Sequence, residues 1–126
     1  MALDRTKPEI EFPGGEPPAD LVVVDDIGGD GTEAVVGCTV LAHYVGVAHS
    51  TGEEFDASWN RGKPLSFRLG VGQVIAGWDQ GIAGMRVGGR RTLTIPPHLG
   101  YGDRGAGSAI KGGETLIFVV DLVEVR

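Results

Sequence analysis

The chain has 126 residues, a formal net charge of -6, 41% hydrophobic residues and 22% charged residues. This length suits one domain with its own core and excludes a second catalytic domain, while the hydrophobic content excludes a fully disordered chain. No apolar run approaches the roughly 20 residues that span a bilayer, and the acidic balance argues against nucleic acid as a partner.

The N-terminal segment, residues 1–20, contains four of the seven prolines of the chain. Proline resists helix formation, so this composition predicts an extended, mobile arm outside the core, with the domain occupying residues 21–126. The segment also lacks the cationic start and apolar centre of a secretory signal, which favours the cytoplasm as the compartment.

Beyond the arm, short runs rich in β-forming residues alternate with glycine-containing turns. They predict strands at residues 21–26, 38–48, 65–69, 91–95 and 115–125. Only residues 74–85 show helical spacing, with Trp78 and Ile82 one turn apart on one face. A sheet with one apolar face and a helix with one apolar stripe bury each other, so the expected fold class is α+β with an antiparallel sheet.

Several patterns that often mark catalytic or cofactor sites lack the context that they need. Gly29-x-Gly31-x-x-Ala34 imitates a dinucleotide-binding fingerprint, but the few residues before the next predicted strand leave no room for the helix that carries the phosphate site. No serine lies in a G-x-S-x-G elbow, and the three histidines form no cluster with metal-ligand spacing. We therefore predict neither a cofactor nor a metal.

Arg86, Arg90 and Arg91 could form a local anion site. A solvated cluster at the end of a strand is the simpler interpretation, because it lies opposite an acidic half of the chain. Cys38 has apolar neighbours and no cysteine partner, so it is predicted to be a small core residue.

A dense set of motifs occupies the second half of the chain. VIAGW, GM-x-VGG-x-R, TLTIP and LGYG follow one another within residues 71–102. LAHYVG, GEEFDAS, KPLSFRLG and TLIFVVDLVEV fall before and after them in order. Taken together, the sequence resembles the FKBP-type peptidyl-prolyl cis-trans isomerases over roughly its last hundred residues.

The resemblance implies a strongly curved antiparallel sheet wrapped around one short α-helix, with a ligand pocket between them. It also implies a cofactor-free isomerase that rotates X-Pro bonds in peptides and unfolded proteins, assists folding and binds macrolide inhibitors. That rotation breaks no bond; its barrier of about 18–20 kcal/mol comes from lost amide resonance. A minimal single-domain member of this kind is expected to be a monomer.

The resemblance also assigns roles to individual residues in this sequence. Trp78 is expected to form the pocket floor, and Tyr101 and the backbone N–H of Ile75 are expected to donate hydrogen bonds to the substrate. Asp56 is expected to be a pocket carboxylate that pairs with Tyr44 and Arg61. The predicted catalytic residues are Tyr101, Asp56, Trp78 and Phe118, and the predicted substrate-binding residues are Tyr44, Phe55, Leu65, Val74, Ile75, Ile110 and Arg61.

The sequence departs from the family pattern at two places in the predicted pocket. Leu65 stands where many relatives carry an aromatic wall residue. In the flap, residues 103–113, Lys111 and Gly112 replace prolines, and the added glycine predicts a more mobile loop. Two alternatives remain open: Asp56 braces its loop without a catalytic role, or the whole domain is a non-catalytic module that holds a proline-containing partner.

Overall fold

The computed structural model of the chain describes residues 5–10 and 15–126. Within these residues it contains six strands, one α-helix and two short 3-10 helices. The strands are β1 (Val22–Ile27), β2 (Thr39–Ala48), β3 (Glu54–Ala57), β4 (Leu65–Arg68), β5 (Arg90–Ile95) and β6 (Leu116–Val125); helix α1 is Ala76–Ile82, and the 3-10 helices are Ser58–Arg61 and Pro97–Leu99.

The strands form one antiparallel sheet in the order β1-β5-β6-β2-β3, and β4 pairs with the first half of β2. Strands β2 and β6, ten residues each, form its centre. Register shifts lie between Leu41 and Ala42, and between Gly46 and Val47. Such irregularities bend a strand and increase its twist, so they help the sheet to curve around the helix. The predicted α+β fold is confirmed.

The main core lies between the inner face of the sheet and α1. Along β6, every second residue points inward, as the two-residue period of a strand requires. These residues are Leu116, Phe118, Val120 and Leu122, and all are at most 3% exposed. The helix contributes Trp78 and Ile82 to the same cluster, which confirms the apolar stripe predicted from their spacing.

Helix α1 is shorter than the predicted span of residues 74–85. Ile75, its N-cap, is extended at ψ 150°, and Ala83 at its end is extended at ψ 131°. A helix of seven residues gains little from propensity and depends on tertiary packing. Gly77 and Gly81 make that packing possible, because a Cβ at these positions would lie 2.5 Å from Ile95 and 2.7 Å from Leu93 of β5.

A second apolar cluster covers the outer face of the sheet. It consists of Val45 and Val47 of β2, Ala57 of β3 and Ile117 of β6, with Ile10 and Trp59 packed against it. His43 of β2 stacks on Trp59 at 4.1 Å between ring centroids and shares a hydrogen bond with Ser58. His43 is thus a hydrogen-bonded structural residue.

Part of the N-terminal arm, predicted to be an extended and mobile segment outside the core, packs on this outer face of the sheet. Arg5 reaches the buried carboxylate of Asp121, and Ile10 covers the outer cluster. The composition of the arm does not reveal these contacts because they join residues far apart in the chain. Residues 1–4 and 11–14 of the predicted arm lie outside the described residues, and the domain boundary at residue 20 stays a prediction.

Two smaller expectations also changed. Strand β3 was not predicted, and Cys38 is half-buried against the main core rather than fully enclosed. Of the helices in residues 5–10 and 15–126, none is both long and apolar enough to cross a membrane.

Candidate active site

A cavity of about 390 Å³ opens between α1 and the inner face of the sheet. Its lining is mainly aromatic and aliphatic, with a few polar groups at the edge, which is the usual composition of a small-ligand site. The lining residues are Tyr44, Phe55, Asp56, Leu65, Gln73, Val74, Ile75, Trp78, Tyr101 and Phe118.

Trp78 lines this cavity and is surrounded by aromatic neighbours. Its ring centroid is 4.9 Å from that of Tyr44, 5.2 Å from Phe118 and 5.5 Å from Phe67. The rings of Phe55 and Phe118 meet edge to face at 5.4 Å. Edge-to-face pairs stabilise one another beyond the area that they bury, so these rings form a closely packed aromatic group beside the cavity.

Gly46 of β2 lies directly beneath the two phenylalanine walls. A Cβ at this position would come within 2.6 Å of both the Phe118 and the Phe55 ring. The absence of a side chain therefore sets how close these rings can stand to the sheet, and with it the shape of the cavity wall.

Asp56 is the carboxylate of the cavity and belongs to a three-residue network. The Tyr44 hydroxyl donates to its Oδ2 at 2.5 Å, and the Arg61 guanidinium donates to its Oδ1 at 2.8 Å and to the Tyr44 oxygen at 2.8 Å. Burial alone would raise the pKa of Asp56, but the bonds from Tyr44 and Arg61 outweigh it and hold the pKa below its ordinary value.

Removing the Tyr44 hydroxyl is expected to raise the pKa of Asp56, because a bond that favours the charged carboxylate is lost. Carbon-13 NMR titration of the Asp56 carboxyl in Tyr44→Phe protein would show the shift. In the unmodified protein the carboxylate stays ionised at neutral pH, and the pairing with Arg61 is lost only as pH falls through the lowered pKa. Tyr101→Phe is the matched control: an Asp56 pKa that moves as much there as in Tyr44→Phe protein would refute the assigned bond.

Tyr101 and Ile75, the two predicted donors to the substrate, both line the cavity. Tyr101 is 40% exposed, and its hydroxyl makes no hydrogen bond within the described part of the chain. Burial of its ring raises the pKa of Tyr101, with a further increase from the Asp56 charge, so the hydroxyl keeps its proton at neutral pH. The Ile75 carbonyl accepts bonds from the first turn of α1.

The cavity brings together most of the predicted site residues but not all of them. Arg61 reaches it only through Asp56 and Tyr44. Ile110 is not among the residues that line the cavity: it is 5% exposed and packs in the main core with Trp78 and Phe118, so its part in substrate binding stays a prediction. Gln73 lines the cavity without having been predicted, and its side-chain oxygen accepts the Arg68 N–H. No motif signalled it beyond its position next to Val74.

Two glycines of the flap allow its backbone segments to lie close together, while its expected mobility stays a prediction. A Cβ on Gly112 would lie 1.9 Å from the Asp103 carbonyl oxygen, and one on Gly105 would lie 2.1 Å from that of Ile110. Gly105 also has a φ of 67°, which other residues rarely adopt. Here glycine permits close backbone contact that a side chain would prevent.

The structure explains two further sequence patterns. The segment after Gly31 leads into β2 without a helix, so the dinucleotide interpretation fails. The three arginines of the possible anion site are engaged by carboxylates: Arg86 by Glu33, Arg90 by Asp121, and Arg91 by Asp25.

The fold is that of a known enzyme family. A family model described as FKBP-type peptidyl-prolyl cis-trans isomerase matches residues 31–123. The chain belongs to this family, and its enzymatic class is peptidyl-prolyl cis-trans isomerase.

Individual relatives agree with this assignment. The FK506-binding protein of Streptomyces anulatus is 71% identical over 120 residues, which cover 94% of this chain and 97% of the relative. A probable FK506-binding protein of Corynebacterium glutamicum is 54% identical over 117 residues, covering 93% and 97%. The crystal structure of AtFKBP13 superimposes with a TM-score of 0.79 at 46% identity, covering 87% of this chain and 96% of that one.

Proposed function

We propose that the cavity above Trp78 is the catalytic site, where the proline ring of an X-Pro substrate rests on the indole. The observation that carries this proposal is the aromatic base itself: Trp78 is 4% exposed, and three rings hold it in place. Phe55, Phe118, Val74 and Leu65 form apolar walls around the position of the proline.

Catalysis follows from the difference between planar and twisted amides. In the twisted state the amide loses resonance and charge separation, so an apolar cavity stabilises it relative to the planar ground state. The Tyr101 hydroxyl and the Ile75 N–H would hold the flanking carbonyls of the substrate and keep the peptide in the twisted geometry. Neither a nucleophile nor a change of covalent bonds is required.

The role proposed for Asp56 is electrostatic and structural. Its side chain is 43% exposed, and its bonds to Tyr44 and Arg61 fix the edge of the cavity. A fixed carboxylate near a twisting amide can stabilise the charge that shifts during rotation. If Asp56 only braces its loop, Asp56→Asn protein would keep full activity, since the amide can still accept the bond from Arg61.

A direct assay tests the function. Catalytic amounts of the protein are expected to accelerate cis-to-trans relaxation of a short Leu-Pro or Phe-Pro peptide. A macrolide of the type that FK506-binding proteins bind should inhibit the reaction by occupying the same cavity. A relaxation rate equal to that in buffer, together with tight macrolide binding, would indicate a binding module of the same fold.

The two tryptophans locate the macrolide site. Trp78 lies in the cavity, whereas Trp59 lies on the outer face against His43. Macrolide addition is expected to change the emission of Trp59→Phe protein and to leave Trp78→Phe protein nearly unchanged. The reverse result would place the ligand elsewhere.

The oligomeric state, the compartment and the substrates are proposed from the sequence. We propose a monomer that acts in the cytoplasm on exposed X-Pro bonds of peptides and unfolded proteins and so assists folding. The rarity of ionic groups in the cavity supports substrates with apolar residues beside proline, because an unpaired buried charge is costly.

A further inference from the structure

Residues 5–10 cross the outer face of the sheet from β6 to β3. At one end, the Arg5 guanidinium donates to the Asp121 carboxylate at 2.7 Å and to the Gly88 carbonyl at 2.6 Å. At the other, Ile10 packs on the outer apolar cluster. We call residues 5–10 the strap.

Lys7, between these two anchors, joins the strap to the segment that carries part of the cavity. Its ammonium lies 2.7 Å from Glu54 Oε1 and donates to Asn60 Oδ1 at 3.0 Å. The Asn60 side chain in turn donates to Glu54 Oε2 at 3.0 Å, which closes a ring of three polar groups.

The position of this ring relates it to the cavity. Glu54 directly precedes Phe55 and Asp56, and Asn60 directly precedes Arg61. Lys7 therefore bridges the two ends of residues 54–61, the segment that supplies a cavity wall and the carboxylate–arginine pair.

The anchor at Arg5 gives the strap a fixed position. Asp121 is fully buried and is shared by Arg5 and Arg90, whereas Lys7 and Glu54 are 37% and 34% exposed. An exposed ion pair alone contributes little, because holding two mobile side chains together loses entropy. The buried anchor and the apolar contact of Ile10 reduce that loss for Lys7.

We propose that Arg5 and Lys7 are positioning residues, which hold residues 54–61 in the geometry that a peptide substrate meets. This proposal rests on the function proposed above. Neither residue touches the cavity, so their loss should weaken substrate binding more than turnover. In the variants, a bound peptide can still bring residues 54–61 into the correct geometry. Part of its binding energy is used to do so, and binding is weaker for that reason.

Kinetics and hydrogen exchange test the proposal in the full-length chain. For Lys7→Ala we expect about a threefold rise in KM with kcat little changed, and for Arg5→Ala/Lys7→Ala roughly a fivefold rise. Amide exchange should become faster in residues 54–61 and stay unchanged in β5. Lys7→Arg protein should instead have the KM and the amide exchange rates of the unmodified protein, because an arginine guanidinium can reach the same two acceptors.

Glu9→Ala is the control, since Glu9 lies in the strap, is exposed and makes no hydrogen bond or ion pair with the described residues. Unchanged KM and unchanged exchange in the double variant would overturn the proposal. If amide exchange became equally faster across the whole sheet, the proposal would also be overturned, since this result would show a general loss of stability. If the unmodified protein lacks isomerase activity, the proposed function fails, while exchange in residues 54–61 still decides whether the strap positions them.

Discussion

Asp121→Ala is expected to lower the free energy of unfolding by about 3 kcal/mol, the scale of breaking a buried ion pair from one side. Asp121 is fully buried, and its two oxygens accept bonds from Arg90 at 2.8 and 3.1 Å and from Arg5 at 2.7 Å. Alanine would leave two largely buried guanidinium groups without their carboxylate. Urea denaturation of the two proteins measures the difference.

Asp25→Ala is the matched control for this prediction. Asp25 also pairs with an arginine, Arg91, but its side chain is 59% exposed, so water can replace the lost partner. We expect a change below about 1 kcal/mol there. Similar losses in the two variants would show that burial does not decide the strength of the Asp121 network.

The central strands could be predicted from sequence because their pattern is strong and local. The run that forms β6 is long, rich in β-branched residues and buried on both faces. Strand β3 gave no such signal, since its four residues, Glu54–Ala57, include two carboxylates. It exists because the polar backbone of β2 offers it a partner, and strand pairing of this kind is a tertiary effect.

The glycines of α1 show how a correct propensity argument can miss a structural reason. Gly77 and Gly81 weaken an isolated helix, as the sequence indicates. In the fold they face Ile95 and Leu93, where a Cβ would collide. The loss of helix propensity is offset by close packing on β5. This compensation depends on contacts between α1 and β5, which a propensity argument does not include.

The site could be predicted from sequence only through the family resemblance. The floor and walls come from separate elements: Tyr44 lies on β2, Trp78 on α1 and Phe118 on β6. No spacing rule joins such residues. The resemblance also did not reveal that Ile110 is buried in the main core, because the burial of a flap residue depends on contacts that form only in the fold.

In the N-terminal arm, too, the sequence does not indicate contacts between residues that are far apart in the chain. A proline-rich composition correctly indicates the absence of a helix among the described residues of the arm, yet the bond from Arg5 to Asp121 spans 116 positions. Composition cannot indicate such a contact, since it depends on a buried carboxylate that appears only when β6 enters the sheet.

Gly46→Ala is expected to lower kcat/KM for an X-Pro peptide at least about tenfold, equivalent to about 1.4 kcal/mol of transition-state binding. The added methyl would lie 2.6 Å from both the Phe55 and the Phe118 ring. Phe118 is 3% exposed and cannot move outward, so Phe55 has to swing and the cavity wall shifts. Stability should fall by about 1–3 kcal/mol, as for other overpacked cores.

Gly28→Ala separates the effect on the wall from a general effect of replacing glycine. Gly28 has no left-handed φ and no heavy atom within 4 Å of an added Cβ, so alanine fits there without strain. We expect its kcat/KM to be unchanged and its stability to be equal or slightly higher, because alanine restricts the unfolded chain. Kinetics measured well below both melting temperatures exclude unfolding as the cause. If Gly46→Ala protein then keeps the full kcat/KM, Phe55 and Phe118 do not form the wall that the substrate meets.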